Sequence, residues 1–356
     1  MAARKKFVFF VILFSVCCAN LLLAGGKQPR QRPEAVIFPP PPDTTRIQFL
    51  TRISTSADVT GRRSGFLRYI MGEEKERPII KPYGLAAFRG KIYICDTILG
   101  GLEIIDLKSK TFEYFTPEGR GKLRKPINCA VDDRGDLYVA DSERRQVVVF
   151  DSNGNYHSSF GNPDSLKPTD VFITPGTVWV CDILAKKIRA YDQNSYRPLM
   201  SFPHAAAGES GYLFSPTNLY VRNDRIYVSD FGDFKIKIFN IEGKYLKSIG
   251  SYGRNVGQFV RPKGIAVDEE DNLFVADAGF ENVQIFNSRG KILMFFGGSY
   301  KGPGNMWLPA KVVIDYENTD FFREFVDPAF NLKYLIYVTN QYGPDKISVY
   351  GFVEPR

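Results

Sequence analysis

Residues 262–277 read PKGIAVDEEDNLFVAD, and this stretch decides the fold. Two short apolar runs, 264–267 and 273–276, flank the polar run 268–272. Short apolar runs joined by a tight polar turn predict an antiparallel hairpin. A proline opens the unit and an aspartate closes it. Working outward, the same unit recurs as Pro82 to Asp96, Pro126 to Asp141, Pro168 to Asp182, Pro216 to Asp230 and Pro309 to Asn340. Successive prolines are 44, 42, 48, 46 and 47 residues apart. A steady period of that size with several strands per unit predicts a β-propeller.

Two more strands follow each aspartate, as in 235–250 and 281–297, and their turns carry Glu-Gly and Arg-Gly pairs suited to short hairpin loops. The sixth unit supplies only one strand after Asn340, at 346–353. The segment 47–54 is the natural donor of its missing strand. Pairing first with last closes the ring and removes an exposed edge. The expected fold is therefore an all-β, six-bladed propeller over residues 45–356.

The repeats resemble NHL repeats, of the pattern Pro-x-Gly-Ile-Ala-Val-Asp, then Asn-Leu-Phe-Val-Ala-Asp, then Val-Gln-Ile-Phe. The fifth unit, Pro262 to Phe286, matches almost letter for letter. The resemblance covers nearly all of the chain after the N-terminal segment and implies an NHL/TolB-like six-bladed propeller of the bacterial exported or lipoprotein type. It constrains function loosely, because propellers host binding scaffolds, lyases, lactonases and RNA binders.

Residues common to every unit serve the blade. The closing Asp or Asn is expected to bond the backbone of the following turn. Small residues precede it, so Cys95 and Cys181 read as core residues. Cys129 falls in another apolar slot, and the three do not form a disulfide framework.

Two residues past each proline stand Gly84, Asn128, Asp170, Asn218, Gly264 and Lys311. Asn128, Asp170 and Asn218, from three successive blades, form a candidate set of oxygen donors for Ca²⁺ or another divalent cation. Gluconolactonase-type propellers carry metal-binding Asn and carboxylate residues in their channel, although the Glu which that family also uses is not evident. The competing reading is that Gly, Asn and Asp share tolerance for a left-handed backbone.

The chain is basic, with a formal charge of +8. The loops leading into the first strands collect the excess, with Arg124, Lys125, Arg261, Lys263 and Lys311 nearest the channel. A concave basic mouth focuses potential on anions. In the sixth unit the spacing from Pro309 to Asn340 is 31 residues, against 14 or 15 elsewhere. The extra segment, 315–334, is rich in aromatics. Phe321, Phe322 and Phe325 are the candidate docking residues for a partner, on the face opposite the mouth. The alternative is that these rings cover the blade's own strands.

At the N-terminus, Arg4, Lys5 and Lys6 precede the apolar run 7–24. A basic segment followed by an apolar one is an export signal. Residues 1–26 are read as a signal peptide or membrane anchor and 27–44 as a proline-rich linker. The run FSVCC resembles, imperfectly, a bacterial lipoprotein signal. Cleavage near Gly26, retention as a membrane helix and acylation at Cys17 or Cys18 remain the alternatives.

The expected function is an exported, membrane-tethered scaffold of the cell envelope, periplasmic or associated with the outer membrane. It would bind a protein or an anionic polymer. Export argues against nucleic acid. The alternative is a metal-dependent propeller enzyme, lactonase-like or lyase-like. His157 and His204 are the chain's two histidines, and neither a Ser-His-Asp set nor a Cys-His pair is visible.

Overall fold

The computed structural model describes residues 34–61, 75–299 and 301–356. The compact unit Val36–Arg356 is a six-bladed β-propeller. Five blades are four-stranded antiparallel sheets, numbered by the order of their first strands. Blade one comprises Pro82–Phe88, Lys91–Asp96, Gly101–Asp106 and Thr111–Phe115. Blades two to five begin at Pro126–Val131, Pro168–Thr174, Pro216–Arg222 and Pro262–Val267. Each proline opens the innermost strand, a position where a missing N–H is tolerated.

Blade six combines both ends of the unit. Its sheet runs Pro309–Asp315, Phe330–Asn340, Ile347–Pro355, then Ile47–Ile53. The closing pair is antiparallel, with Ile47 opposite Phe352 and Ile53 opposite Ile347. A fifth strand, Ile37–Phe38, pairs back onto Ile47 and Gln48. The prolines at 39–42, expected in a linker, thus lie in the connection between two paired strands, and the propeller unit begins at Val36 rather than residue 45.

Past their first residues the second strands are buried, and Leu137–Asp141 and Leu273–Asp277 are buried along their whole length. Both faces of each sheet meet a neighbouring sheet, which is why these strands are apolar runs rather than alternating ones. The buried apolar residues form six clusters, one at each interface between adjacent blades. Cys95 and Cys129 lie at the interface of blades one and two, and Cys181 at that of blades three and four; all three are free thiols in the core.

The apolar run 7–24, Cys17 and Cys18 lie outside the described residues. Among the described residues no helix is long and apolar enough to cross a membrane.

Closure gives a prediction. Ile47 and Ile53 are at most 4% exposed and join the clusters on the two sides of blade six. Deleting residues 36–55 should unzip an edge of blade six and expose both clusters, abolishing the cooperative melt. A truncated chain that melts like the full one in calorimetry would contradict ring closure.

Candidate functional site

The repeated aspartate builds the mouth of the channel. Asp277 is fully buried. Its carboxylate accepts the N–H groups of Val260 and Arg261 at 2.8 and 3.0 Å, and those of Gly279 and Phe280 at 2.7 and 3.2 Å. The first pair leads into the blade and the second belongs to the following turn. Asp96 does the same for Ile80, Lys81, Ile98 and Leu99, and Asp141 for Arg124, Lys125, Glu143 and Arg144. The carboxylate was expected to bond only the turn after it; it also fixes the segment about sixteen residues earlier. A buried carboxylate is tolerated because N–H donors surround it.

The residue just before each proline is Lys81, Lys125, Lys167, Ser215, Arg261 and Leu308; the staple fixes the first five, whereas the Leu308 N–H donates to Glu281 at 3.3 Å. Four of the six are basic and share one slot around the ring. Lys81 and Lys167 escaped the sequence reading, although the slot they share with Lys125 and Arg261 was visible there. One step inward, the Lys263 ammonium lies over the Tyr83 ring, 4.8 Å from its centroid. Blades five and one, which supply these two residues, are separated by blade six. There the same slot holds Ala310, whose small side chain leaves the space open. Burial, then the like charges of Arg261 and Lys81, lower the Lys263 ammonium to about 8. Lys81 lies over the ring of the half-exposed Tyr342, at 4.9 Å. Burial and Asp170 raise the Tyr83 phenol above its ordinary range, so it stays protonated. Arg124 is exposed, and Lys125 faces Glu143 at 3.8 Å.

Lys311 is not at the rim. It is 8% exposed, and its ammonium lies 2.8 Å from Asp170 Oδ2, from a blade on the other side of the channel. The same carboxylate oxygen accepts the Leu219 N–H at 3.0 Å and the Asn218 Nδ2 at 3.2 Å. Asn128 donates instead to the Thr169 carbonyl at 2.7 Å. A lysine already pairs with the one carboxylate of the set, whereas the Asn128 and Asn218 amide oxygens are buried without a hydrogen-bond partner among the described residues, so the set offers two neutral oxygens rather than the free carboxylate that a hard divalent cation favours. Among the described residues no group of three His, Cys, Asp or Glu side chains has metal-site geometry.

The left-handed explanation of this slot also fails. None of its six residues has a positive φ. All lie where the first strand slips register or pairs beside that slip, pressed against the next blade. A Cβ on Gly84 would sit 2.5 Å from the Ile127 carbonyl oxygen, and one on Gly264 would sit 2.7 Å from the Val312 nitrogen. Close approach of backbones demands glycine there.

A second departure from the repeat sits behind the staple. The third-strand residue two steps in from the turn after the closing residue is Arg189 in blade three and Lys237 in blade four. They pair with Asp182 at 2.7 Å and Asp230 at 2.9 Å. Blade six places Ser348 on Asn340 at 3.0 Å. Blade one places Glu103 there, fully buried, with neither carboxylate oxygen bonded among the described residues. Burial, then the charge of Asp96, raise Glu103 to about 9. Asp96 holds four N–H groups, and the proton sits on Glu103.

The aromatic segment of blade six is largely structural. Its 3₁₀ helix, Thr319–Phe325, packs Phe322 edge-on against Tyr337, with Phe322 4% exposed and Phe321 half-buried. Gln48 of the closing strand donates to the Phe325 carbonyl and accepts the Asp327 N–H, both at 3.0 Å. Of the three rings proposed for docking, Phe325 alone is exposed, at 41%. The other two cover the sheet.

Comparison with known proteins agrees with this architecture. A family profile described as a 6-bladed beta-propeller matches residues 209–283, which span the fourth blade and most of the fifth. A search of curated proteins finds no match. Among solved structures, a protein of unknown function from Bacteroides thetaiotaomicron is 16% identical, with a TM-score of 0.58 over 87% of this chain and 76% of that one. A gluconolactonase from Xanthomonas campestris is 15% identical, with a TM-score of 0.55 over 92% and 99%. A catalytically inactive virginiamycin B lyase from Staphylococcus aureus, solved with quinupristin, is 15% identical, with a TM-score of 0.53 over 77% and 95%. At these identities the likeness is one of fold.

The Glu103 carboxyl makes stability depend on pH. It titrates near 4.5 when unfolded and near 9 when folded. Between those values the folded chain holds a proton that the unfolded chain releases. Its contribution to stability therefore falls as pH rises from about 4.5 to about 9. Glu103→Gln should raise the melting temperature at pH 8 relative to pH 5, compared with the parent chain. Parallel melting curves for the two proteins at every pH would show that Glu103 does not hold its proton.

Proposed function

We propose that this chain is an exported, membrane-tethered propeller scaffold that binds an anionic ligand, polymer or protein of the cell envelope, at its channel mouth. The observation that supports this reading is the convergence of Lys81, Arg261 and Lys263. Burial, and then the like charges of the other two, lower the Lys263 ammonium to about 8, and among the described residues none of the three forms an ion pair. Like charges gathered without counter-ions oppose folding, and an anion at the same place relieves that cost. Tyr83 and Tyr342 give the cations flat aromatic seats, which restrict their geometry without neutralising them. Export and tethering both rest on the basic and apolar N-terminus, Arg4 to Ala24.

The enzyme reading draws less support. The gluconolactonase and the lyase share the fold, while the one carboxylate of this channel's oxygen-donor set is paired with Lys311.

Dextran sulfate is a suitable probe. Its affinity for the mature protein should fall steeply with added salt, since exposed charges are screened. It should also weaken as pH rises from 7 to 9, because Lys263 is cationic below about 8 and neutral above. Lys263→Met should lower affinity at pH 7 and remove the step near pH 8, with the melt unchanged. Binding that is indifferent to salt, or a step that survives the substitution, would refute the mouth as the site.

A further inference from the structure

The staples hold more than cations at the mouth. The same carboxylates fix large exposed apolar side chains. Asp96 accepts the N–H groups of Ile80 and Ile98, both at 2.8 Å, and these side chains are 41% and 62% exposed. Asp182 accepts that of Leu184 at 3.1 Å and Asp230 that of Phe214 at 2.9 Å, with both side chains exposed. In blade six Tyr342 stands in the turn after Asn340. In blade five the buried Gln284 fixes a longer loop, accepting the Gly257 N–H at 2.8 Å and donating to the Gln258 carbonyl at 2.9 Å. That loop presents Val256, 60% exposed.

These side chains come from five blades and share their loops with basic residues. The acids of the turns after the closing residues are engaged. Glu143 faces Lys125 at 3.8 Å, Asp233 pairs with Lys235 and Lys237 at 3.2 and 2.8 Å, Asp345 pairs with Arg52, and Glu281 accepts the Leu308 N–H at 3.3 Å. In the loops entering the blades, Glu76, Glu118, Asp164 and Glu209 are outnumbered by Lys and Arg. The opposite face is built differently. There a cavity of about 590 Å³ opens beside Ala190, which takes the place of Ile104, Val149, Ile238, Ile285 and Val349 in the other blades. Its wall carries both Arg222 and Asp224.

The path of the chain bears on the partner. Ile47 pairs with Phe352 and Ile53 with Ile347, just past Asn340, so the closing strand runs towards the mouth. The outermost strand, Ile37–Phe38, is antiparallel to it, with Ile37 opposite Gln48 and Phe38 opposite Ile47. It runs away from the mouth, so the chain enters the propeller at the mouth end. The apolar run 7–24 is thus connected in sequence to that end of blade six.

We propose that the mouth face docks on an anionic lipid bilayer, its cations on the headgroups and Ile98, Leu184, Phe214, Val256 and Tyr342 at the boundary with the acyl chains. The inference rests on the reading of the mouth as an anion site. Anionic lipid attracts basic clusters, and apolar side chains add burial at the headgroup boundary. A soluble polyanion would use the cations and leave the apolar side chains in water. A compact protein segment would cover the tips of one or two blades, whereas a bilayer surface meets those of five at once.

The test uses the full chain with vesicles of phosphatidylglycerol or phosphatidylcholine that carry brominated acyl chains, which quench a tryptophan at the boundary. Ile98→Trp and Tyr342→Trp report from the mouth, and Ile241→Trp from an exposed turn of the opposite face. The parent chain, with Trp179 and Trp307, gives the background. Both mouth tryptophans should be quenched in phosphatidylglycerol and not in phosphatidylcholine, and Ile241→Trp should add no quenching. Lys81→Glu with Arg261→Glu should raise severalfold the phosphatidylglycerol fraction needed for half-maximal quenching. Leu184→Ser with Phe214→Ser should do the same while leaving dextran sulfate binding unchanged. Equal quenching in phosphatidylcholine, quenching in Ile241→Trp, or none in either mouth variant would overturn the proposal. In the last case, retained dextran sulfate binding leaves the mouth as a site for soluble polyanions, and its loss removes that reading too.

Discussion

A buried carboxylate that four backbone N–H groups surround is the constraint on which this molecule depends. Asp96, Asp141 and Asp277 each bind two donors from the loop before the blade and two from the turn after its second strand. A hydrogen bond to a charged group contributes about 1.5–3 kcal/mol, and an orphaned buried donor costs about 1–3 kcal/mol. Loops that would otherwise wander are therefore fixed to the sheet at every blade. In blades three and four a base joins the carboxylate as well. In blade six Asn340 accepts from the Trp307 N–H and donates to the Asp345 carbonyl. The basic rim follows from this, because in blades one to five the staple holds the residue before the proline, and four of those five are basic.

Most of the fold was legible in the sequence because it is written six times. The proline that opens a blade and the acid that closes it recur at a nearly constant interval, and hairpin chemistry between them is local. Closure by the segment 47–54 was legible for a related reason: blade six lacked a strand and one strand remained. The candidate site was less legible. Lys311 and Asp170 are 141 residues apart and meet across the channel, and no local pattern announces such a contact. Three blades offer oxygen ligands by sequence, but the lysine that pairs with their one carboxylate comes from a fourth. The aromatic residues of the blade-six segment looked like a docking surface by composition. Phe322 instead fills the gap against Tyr337, because a longer hairpin needs its own core.

The departures from the repeat carry the individuality of this propeller. A slot filled alike in every blade is explained by the blade, whereas a lone exception needs another reason. Lys263 stands where other blades have Tyr83, Ile127, Thr169, Thr217 and Ala310, and it adds a cation to an already basic rim. Glu103 stands where blades three and four have bases, and it stores a proton behind the Asp96 staple. Ala190 stands where five blades have Val or Ile, and a cavity opens beside it. The first exception changes the mouth and the last changes the opposite face. One ring thus presents two chemically different surfaces, one cationic and one with an apolar pocket.

Amide hydrogen exchange in an Asp277→Ala variant tests the staple most directly. The account predicts that the amides of Val260, Arg261, Gly279 and Phe280 are protected in the parent chain and lose protection together in the variant, while those of Arg124 and Lys125, held by Asp141, keep theirs. Unchanged protection of the four amides in the variant would contradict the claim that the buried carboxylate holds the mouth in place.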